Sequence, residues 1–343
     1  MIDSSTGTET TVALLATLRE ATGDRELAFA EPPVPISGGY YAEILGFRLA
    51  DPPAGLAGRL VARIVPDAVV GAWESAVQGD VAGQGFPTPA VRLTAPATSP
   101  LGRYLIVMDR VDGRPPIGGL DLDLVSTVRQ VPAVMRRMPE HLAGIAAQLH
   151  ALAPGPLAAR LEGLDGGMPT TVQDFVRRKV ELATAMDRTD LADAGERLLA
   201  TQPAFPHPAI AHGDLHPFNL LMTPDGPVLL DWTVALVGDP AFTLAFTDLM
   251  LSHPPVPTSR AGAALLRPIG RSMAKRFLAC YRAQVPAAAQ VGADRLDWHR
   301  RVHALRILVE LAGWDQAGSR PATHPWLVVE PVVRRLLDLR PRR

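Results

Sequence analysis

Apolar positions in this chain recur in two periods, and the period changes near residue 111. Thr10 to Thr22 sets Val, Leu and Ala among polar residues at helical spacing and predicts an N-terminal helix, broken by Pro32-Pro33-Val34-Pro35. Two strand-like runs follow, Glu43 to Leu49 and Arg59 to Val65, joined through a Pro/Gly-rich turn. In the second run Val61, Arg63 and Val65 share one face, because strand side chains alternate. Ala72 to Val77 begins a helix-like segment that ends before Gly85-Phe86-Pro87-Thr88-Pro89, and Arg103 to Asp109 is an apolar strand running into the turn Val111-Asp112-Gly113. Past Pro115-Pro116-Ile117-Gly118-Gly119 the pattern turns helical. Met138 to Leu152 places Leu142, Ile145, Leu149 and Leu152 on one side, with His150 read as a packed histidine. Arg271 to Gln284 and Asp297 to Gly313 are likewise amphipathic.

Composition narrows the classes. At 343 residues with 47% apolar content, the chain exceeds one average domain and can bury a sizeable core, so two lobes or domains are expected. A net charge of −1, from 34 basic and 35 acidic residues, supplies no field that would draw nucleic acid or an anionic membrane. The single cysteine, Cys280, excludes an intramolecular disulfide framework. With no signal peptide and no membrane-length apolar span read in the sequence, a soluble, reduced, cytoplasmic protein is expected.

One stretch carries chemistry. His212-Gly213-Asp214-Leu215-His216-Pro217-Phe218-Asn219 is followed by Leu220-Leu221-Met222, the turn Thr223-Pro224-Asp225-Gly226 and the apolar run Pro227 to Leu230, which together predict a β-hairpin ending in Asp231-Trp232. Asp214 and Asn219 are separated by four residues, the interval of a kinase catalytic loop. Isolated Asp or Asn residues in a Pro-containing loop are turn formers. Turn chemistry alone does not produce the full set in this order. Phosphoryl transfer needs mostly positioning and charge neutralisation: one acid to take a proton from a hydroxyl, with an amide and a second acid to hold magnesium. The hairpin would return Asp231 toward Asn219, giving hard oxygen ligands suited to that ion.

This text, with Gly238-Asp239-Pro240, resembles the aminoglycoside phosphotransferase and choline kinase superfamily, whose usual pattern is His-Gly-Asp-x-His-x-x-Asn, then Asp-Trp, then Gly-Asp-Pro. The likeness runs from about Ser37 to the last helices and is sharp over residues 212–240. It implies a bilobal, protein-kinase-like α+β fold: a nucleotide-covering antiparallel sheet lobe over residues 1–108, a hinge at 109–113, and a helix-rich lobe over 114–343 carrying the catalytic loop and acceptor site. By the same likeness Asp214 is the catalytic base or hydroxyl-orienting acid, and Asn219 and Asp231 are the magnesium ligands. His212 supports the loop backbone, with His216 a second supporting residue. The implied donor is ATP or GTP, and the partner a small hydroxylated acceptor, with an antibiotic of macrolide, nucleoside or aminoglycoside type as in resistance kinases, a sugar or an amino alcohol all open.

The N-terminal part fits the same likeness. The strands after Gly38-Gly39 resemble a kinase's nucleotide-covering hairpin, although Gly-Gly alone also reads as an ordinary hairpin turn. Arg63 and Glu74 would be the cation and acid of the nucleotide-clamping pair. No lysine precedes Lys179, so a phosphate-gripping cation here must be arginine, which pairs through a planar fork. Met108 to Val111 resembles the hinge whose backbone reads the base. Two departures stand out. Tyr41 and Ala42 occupy positions where relatives often carry serine and asparagine, leaving phosphate contacts to backbone amides, and Thr243 stands where another aspartate is common.

The helix Asp297 to Gly313 and its neighbour Trp314 offer Trp298, Glu310 and Trp314 as acceptor contacts, while the arginine-rich last third opposes a polycationic acceptor. Two other classes use the same residues. A metal-dependent hydrolase would ligate zinc or manganese through His212, Asp214 and His216, but would leave Asn219 and Asp231 without purpose. A nucleotide-binding pseudokinase or regulator would explain the altered glycine loop, but not the complete acid and amide set.

Overall fold

The computed structural model describes residues 4–36, 42–116, 124–164, 166–205, 207–255 and 260–340. In chain order the elements are α1 (Ser4–Thr22), β1 (Val34–Pro35), β2 (Glu43–Phe47), β3 (Leu60–Val65), α2 (Ala68–Gly83), β4 (Val91–Ala95), β5 (Tyr104–Asp109), α3 (Leu124–His150), α4 (Pro154–Glu162), α5 (Val172–Ala185), α6 (Thr189–Ala200), β6 (Ala209–Ala211), β7 (Leu220–Thr223), β8 (Gly226–Leu229), β9 (Leu236–Gly238), α7 (Ala241–Ser252), α8 (Arg260–Gln284), α9 (Ala293–Gln316) and α10 (Pro325–Leu336). They fall into two compact units, an antiparallel sheet unit and a helix-rich unit, in the bilobal α+β organisation expected. The first holds Met1–Arg114, Ala159–Met168 and Leu221–Thr233, and the second Pro115–Ala158, Pro169–Leu220 and Val234–Arg343.

In the first unit a five-stranded sheet has the order β1-β2-β3-β5-β4, with every neighbouring pair antiparallel. Alternation on β3 decides what each face does. Leu60, Ala62 and Ile64 enter a core with Leu14 and Leu18 of α1, while Val61 and Val65 join Ile106 and Met108 on the opposite face. Arg63 lies on that second face, as its spacing required. Asp67 caps α2 by accepting from the Val69 and Val70 amides at 2.9 and 3.3 Å. The helix contacts β3, β4 and β5, and Glu74 and Gln78, one turn apart, are both buried. Gln78 satisfies its amide on the Pro89 carbonyl at 2.7 Å.

β7 and β8 form the expected hairpin, and Thr88 seats it. The Thr88 hydroxyl donates to the Leu229 carbonyl at 2.9 Å and accepts from the Trp232 indole at 3.0 Å, and the Leu229 amide donates to the Pro87 carbonyl. Trp232 is fully buried and meets Phe86 edge-on.

The second unit is built around α7, almost every residue of which is buried, with α5, α6, α9 and α10 packed in one core. The sequence expectations did not include α4, α5, α6, α7 and α10. Gly195 looks like a breaker inside α6, but a Cβ there would lie 2.4 Å from Val180 of α5, so the glycine permits close helix packing. Pro331 likewise falls inside α10. The short ladder β6–β9 pairs Ala209 with Gly238 and Ala211 with Leu236, which fixes where the chain emerges into His212. His150 is packed, its Nδ1 2.8 Å from the Tyr281 hydroxyl. Among the described residues, no single helix is long and apolar enough to cross a membrane.

Candidate active site

In the first unit Arg63, Glu74 and Asp231 stand together. Arg63 Nε lies 2.9 and 3.0 Å from the two Glu74 carboxylate oxygens, and Nη2 lies 3.4 Å from Asp231 Oδ2. Burial opposes the Arg63 charge, but Asp231 and Glu74 overcome it and raise its pKa. Complete burial pushes Glu74 up to about 7, against the pull of Arg63. Asp231 has a φ of +64°, a left-handed conformation that aspartate tolerates better than most residues, and a third of its side chain is exposed. Its Oδ1 accepts from the Thr233 hydroxyl at 2.8 Å. Met108 is buried at the end of β5, with its backbone in register between Val61 and Val91, and the Val111 carbonyl accepts from the Gly113 amide. Gly38 and Gly39 lie outside the described residues.

In the second unit Asp214 is surrounded by the partners its loop supplies, and by one that it does not. Asn219 Nδ2 donates to the Asp214 carbonyl at 3.0 Å and to Oδ2 at 3.1 Å, an orientation that turns the amide oxygen away from Asp214. His216 Nε2 is 3.5 Å from the same Oδ2. Arg306, from α9, brings Nη1 to 3.0 Å from Asp214 Oδ1 and also donates from Nη1 to the Gly213 carbonyl at 3.0 Å. Burial would raise the Asp214 pKa, but the Arg306 guanidinium, with His216 and His212, reverses this and holds it well below the usual carboxylate range. Asp214 is therefore ionised at neutral pH and presents an acceptor oxygen rather than a donor.

The backbone of this loop is held from outside the motif. The buried Thr243 hydroxyl accepts from the His212 amide at 2.9 Å, so the residue standing where relatives carry aspartate still supports the loop. Thr247 donates to the Leu215 carbonyl at 2.7 Å. Gly213 has a φ of +69°, and a Cβ there would come 2.3 Å from the Phe242 ring, so only glycine fits. His212, fully buried, accepts from the Asp214 amide through Nδ1, and His216 likewise from Phe218. These bonds give both histidines the loop-supporting geometry. Among the described residues, no group of three or more His, Cys, Asp or Glu has the geometry of a metal site, so His212, Asp214 and His216 do not converge as a hydrolase would need.

One expected contact is corrected. Trp298 is buried in the helical core and its indole donates to the Leu198 carbonyl at 3.1 Å, which removes it from any acceptor surface. Glu310 is occupied by Arg306 Nε at 3.1 Å and by the Trp326 indole at 2.8 Å. Trp314 is half-buried, 4.6 Å from the His324 ring. Sequence reasoning missed Arg306, Thr243 as a support, and Thr247; none lies in the motif, and a buried arginine in a helix has no distinguishing local pattern.

Comparison with known proteins gives a consistent answer. The profile of the Phosphotransferase enzyme family matches residues 35–266. No curated protein matches the chain. Among solved structures, a Ralstonia eutropha protein provisionally named an aminoglycoside phosphotransferase is similar at 17% identity, covering 96% of this chain and 96% of that one, with a TM-score of 0.60. A choline/ethanolamine kinase family protein from Mesorhizobium loti is similar at 15% identity, covering 96% and 95%, with a TM-score of 0.58. A macrolide 2'-phosphotransferase type I is similar at 17% identity, covering 93% and 97%, with a TM-score of 0.54.

Proposed function

Since this chain belongs to the phosphotransferase enzyme family, in the superfamily of aminoglycoside phosphotransferase and choline kinase folds, and is a small-molecule kinase, we propose that it transfers the γ-phosphoryl group of ATP or GTP to a hydroxyl of a small, weakly charged acceptor. The observation that carries the reading is Asp214, held ionised with Asn219 and His216 on one carboxylate oxygen. Asp214 orients the acceptor hydroxyl and takes up its proton as the oxygen bonds to phosphorus. The bond from phosphorus to the bridging oxygen breaks, and a nucleoside diphosphate leaves. Arg63, steered by Glu74, pairs with nucleotide phosphates, the backbone from Met108 to Val111 reads the base, and Gly38 and Gly39 serve the nucleotide as well.

Asn219 and Asp231 are the residues that would hold magnesium. They suit it: one presents an amide oxygen turned away from Asp214 and the other a partly exposed carboxylate, both hard donors. When bound, the ion supplies neutralisation of phosphate charge.

The acceptor class follows from charge. Within the second unit, Glu310 is closed on Arg306 and Lys179, Asp315 on Arg320 at 2.9 Å, and Glu330 on Arg320 at 2.6 Å. Carboxylates so engaged are poor partners for a polycation. Phe218, beside His216 in the catalytic loop, is 61% exposed and offers an apolar surface instead. These features favour a weakly charged compound of macrolide or nucleoside type, as in antibiotic-resistance kinases, over an aminoglycoside. The test is a screen of antibiotics, nucleosides and small alcohols with magnesium and either nucleotide, read by mass. A phosphate-sized gain on neutral or singly charged compounds is expected. Gain on polycationic compounds alone would overturn the acceptor class, and stoichiometric nucleotide binding without product from any hydroxyl compound or water would identify a pseudokinase.

A further inference from the structure

Arg306 lies far from the motif in sequence, yet its guanidinium reaches the acid at the motif's centre. Its surroundings are unusual for a buried cation. Nη1 stands 3.0 Å from Asp214 Oδ1, Nη1 donates to the Gly213 carbonyl, and Nε donates to Glu310 one helical turn along. The guanidinium carbon lies 5.3 Å from the Phe246 ring centre and 5.7 Å from that of Trp326. Glu310 is itself tied to the Trp326 indole. Nη1, Nε and the flat of the guanidinium each therefore meet a neighbour.

A buried ion pair contributes little to stability over a well-packed apolar replacement, and a buried arginine is costly unless its donors are used. Here Nη1 is used on the catalytic loop and Nε on Glu310 of the same helix. The directed hydrogen bond from Nη1 goes to the Gly213 carbonyl, while Asp214 Oδ1 is met by charge at ion-pair distance. Asn219 and His216 meet Oδ2, so Arg306 is what faces the other oxygen. One rigid planar group fixes both the peptide before Asp214 and the rotation of its carboxylate. From this geometry we propose that Arg306 is a positioning residue for phosphoryl transfer, clamping Asp214 and the Gly213 carbonyl from α9. The proposal rests on the reading of Asp214 as the acid that orients the acceptor.

Lysine in place of arginine could restore charge to Asp214, but a point charge on a flexible stem cannot also hold the Gly213 carbonyl and Glu310 in one plane. The variants are Arg306→Met and Arg306→Lys, alone and with Asp214→Asn. Phosphate release from ATP and GTP, with magnesium present and water as acceptor, gives kcat and the nucleotide KM, and hydrogen exchange follows residues 212–219. Arg306→Met is expected to lower kcat by about 10²-fold, the penalty of a misplaced reacting group, and to speed exchange in that loop. The nucleotide KM should stay within about threefold, since the loss falls on a step after binding. Arg306→Lys should recover part of kcat. In the Asp214→Asn background Arg306→Met should cost nothing further, because a residue acting through Asp214 has nothing left to position.

Equal losses in both backgrounds, or an unchanged kcat in Arg306→Met, would overturn the clamp. If the methionine variant does not fold, a folded Arg306→Lys with wild-type kcat and loop exchange would do the same. Full activity in Asp214→Asn would instead strike the reading of Asp214 itself, and the clamp with it; an inactive Asp214→Asn beside a fully active Arg306→Met strikes the clamp alone.

Discussion

Asp214→Ala removes the carboxylate on which Arg306, His216 and Asn219 converge. Product formation should fall by about 10²–10⁴-fold while nucleotide binding persists, as measured by turnover assays beside equilibrium titration. Lost nucleotide binding with turnover intact would contradict the role. At this scale the sequence was legible where the chemistry is contiguous. Asp214, Asn219 and Asp231 fall within one loop and one hairpin, so their spacing alone carries the signal. The supports come from elsewhere: Thr243 meets His212 across 31 positions and Arg306 meets Gly213 across 93. A threonine hydroxyl and a helical arginine acquire meaning only when folding brings them to the loop. Trp298 shows the converse error, since an aromatic on an amphipathic helix looks the same from the sequence whether it faces a ligand or the core.

Among elements, β3 and α2 were readable because alternation and helical spacing each sort one face from another. Arg63 thereby meets Glu74 without any motif linking them. The hairpin β7–β8 was readable from its turn, but its seat was not. Thr88 belongs to the Pro-Thr-Pro segment, where nothing marks its hydroxyl as the bridge between Leu229 and Trp232. Thr88→Val should leave both partners unsatisfied and destabilise the hairpin by about 1–3 kcal/mol, as increased hydrogen exchange over residues 221–232 would reveal. Unchanged exchange there would mean that Trp232 packing alone holds the segment. Helices α6 and α10 escaped because Gly195 and Pro331 inside them suggest interruption, whereas Gly195 serves close packing.

For the molecule as a whole, length and the order of strand-like and helix-like segments foretold two units. The assignment of residues 159–168 and 221–233 to the sheet unit could not be foretold, because it depends on contacts rather than on chain order. Acid sensitivity is also a whole-molecule property. Burial pushes His150 and His303 down to about 3, and lowers His299 and His253. His150 and His303 are neutral when folded and take up protons near pH 6.5 when unfolded. Their contribution is therefore complete above about pH 6.5 and is lost as pH falls toward 3, at up to about 1.4 kcal/mol per pH unit for each histidine. Glu74, raised to about 7, takes up a proton on folding over part of this range and offsets some of the loss, so urea midpoints should decline most clearly from pH 6.5 down to pH 5, and a flat profile there would show that the histidines titrate normally in the fold.

Arg63 leaves one more mark on this enzyme. Activity-based probes that deliver an acyl group from a nucleotide phosphate capture kinases by forming an amide with the lysine amine beside those phosphates. A guanidinium stays protonated and is not a nucleophile under such conditions. With lysines only at positions 179 and 275, neither of them in the sheet unit, the proposed pairing of Arg63 with nucleotide phosphates predicts that such probes leave the sheet unit unlabelled. Converting Arg63 to lysine should make it visible.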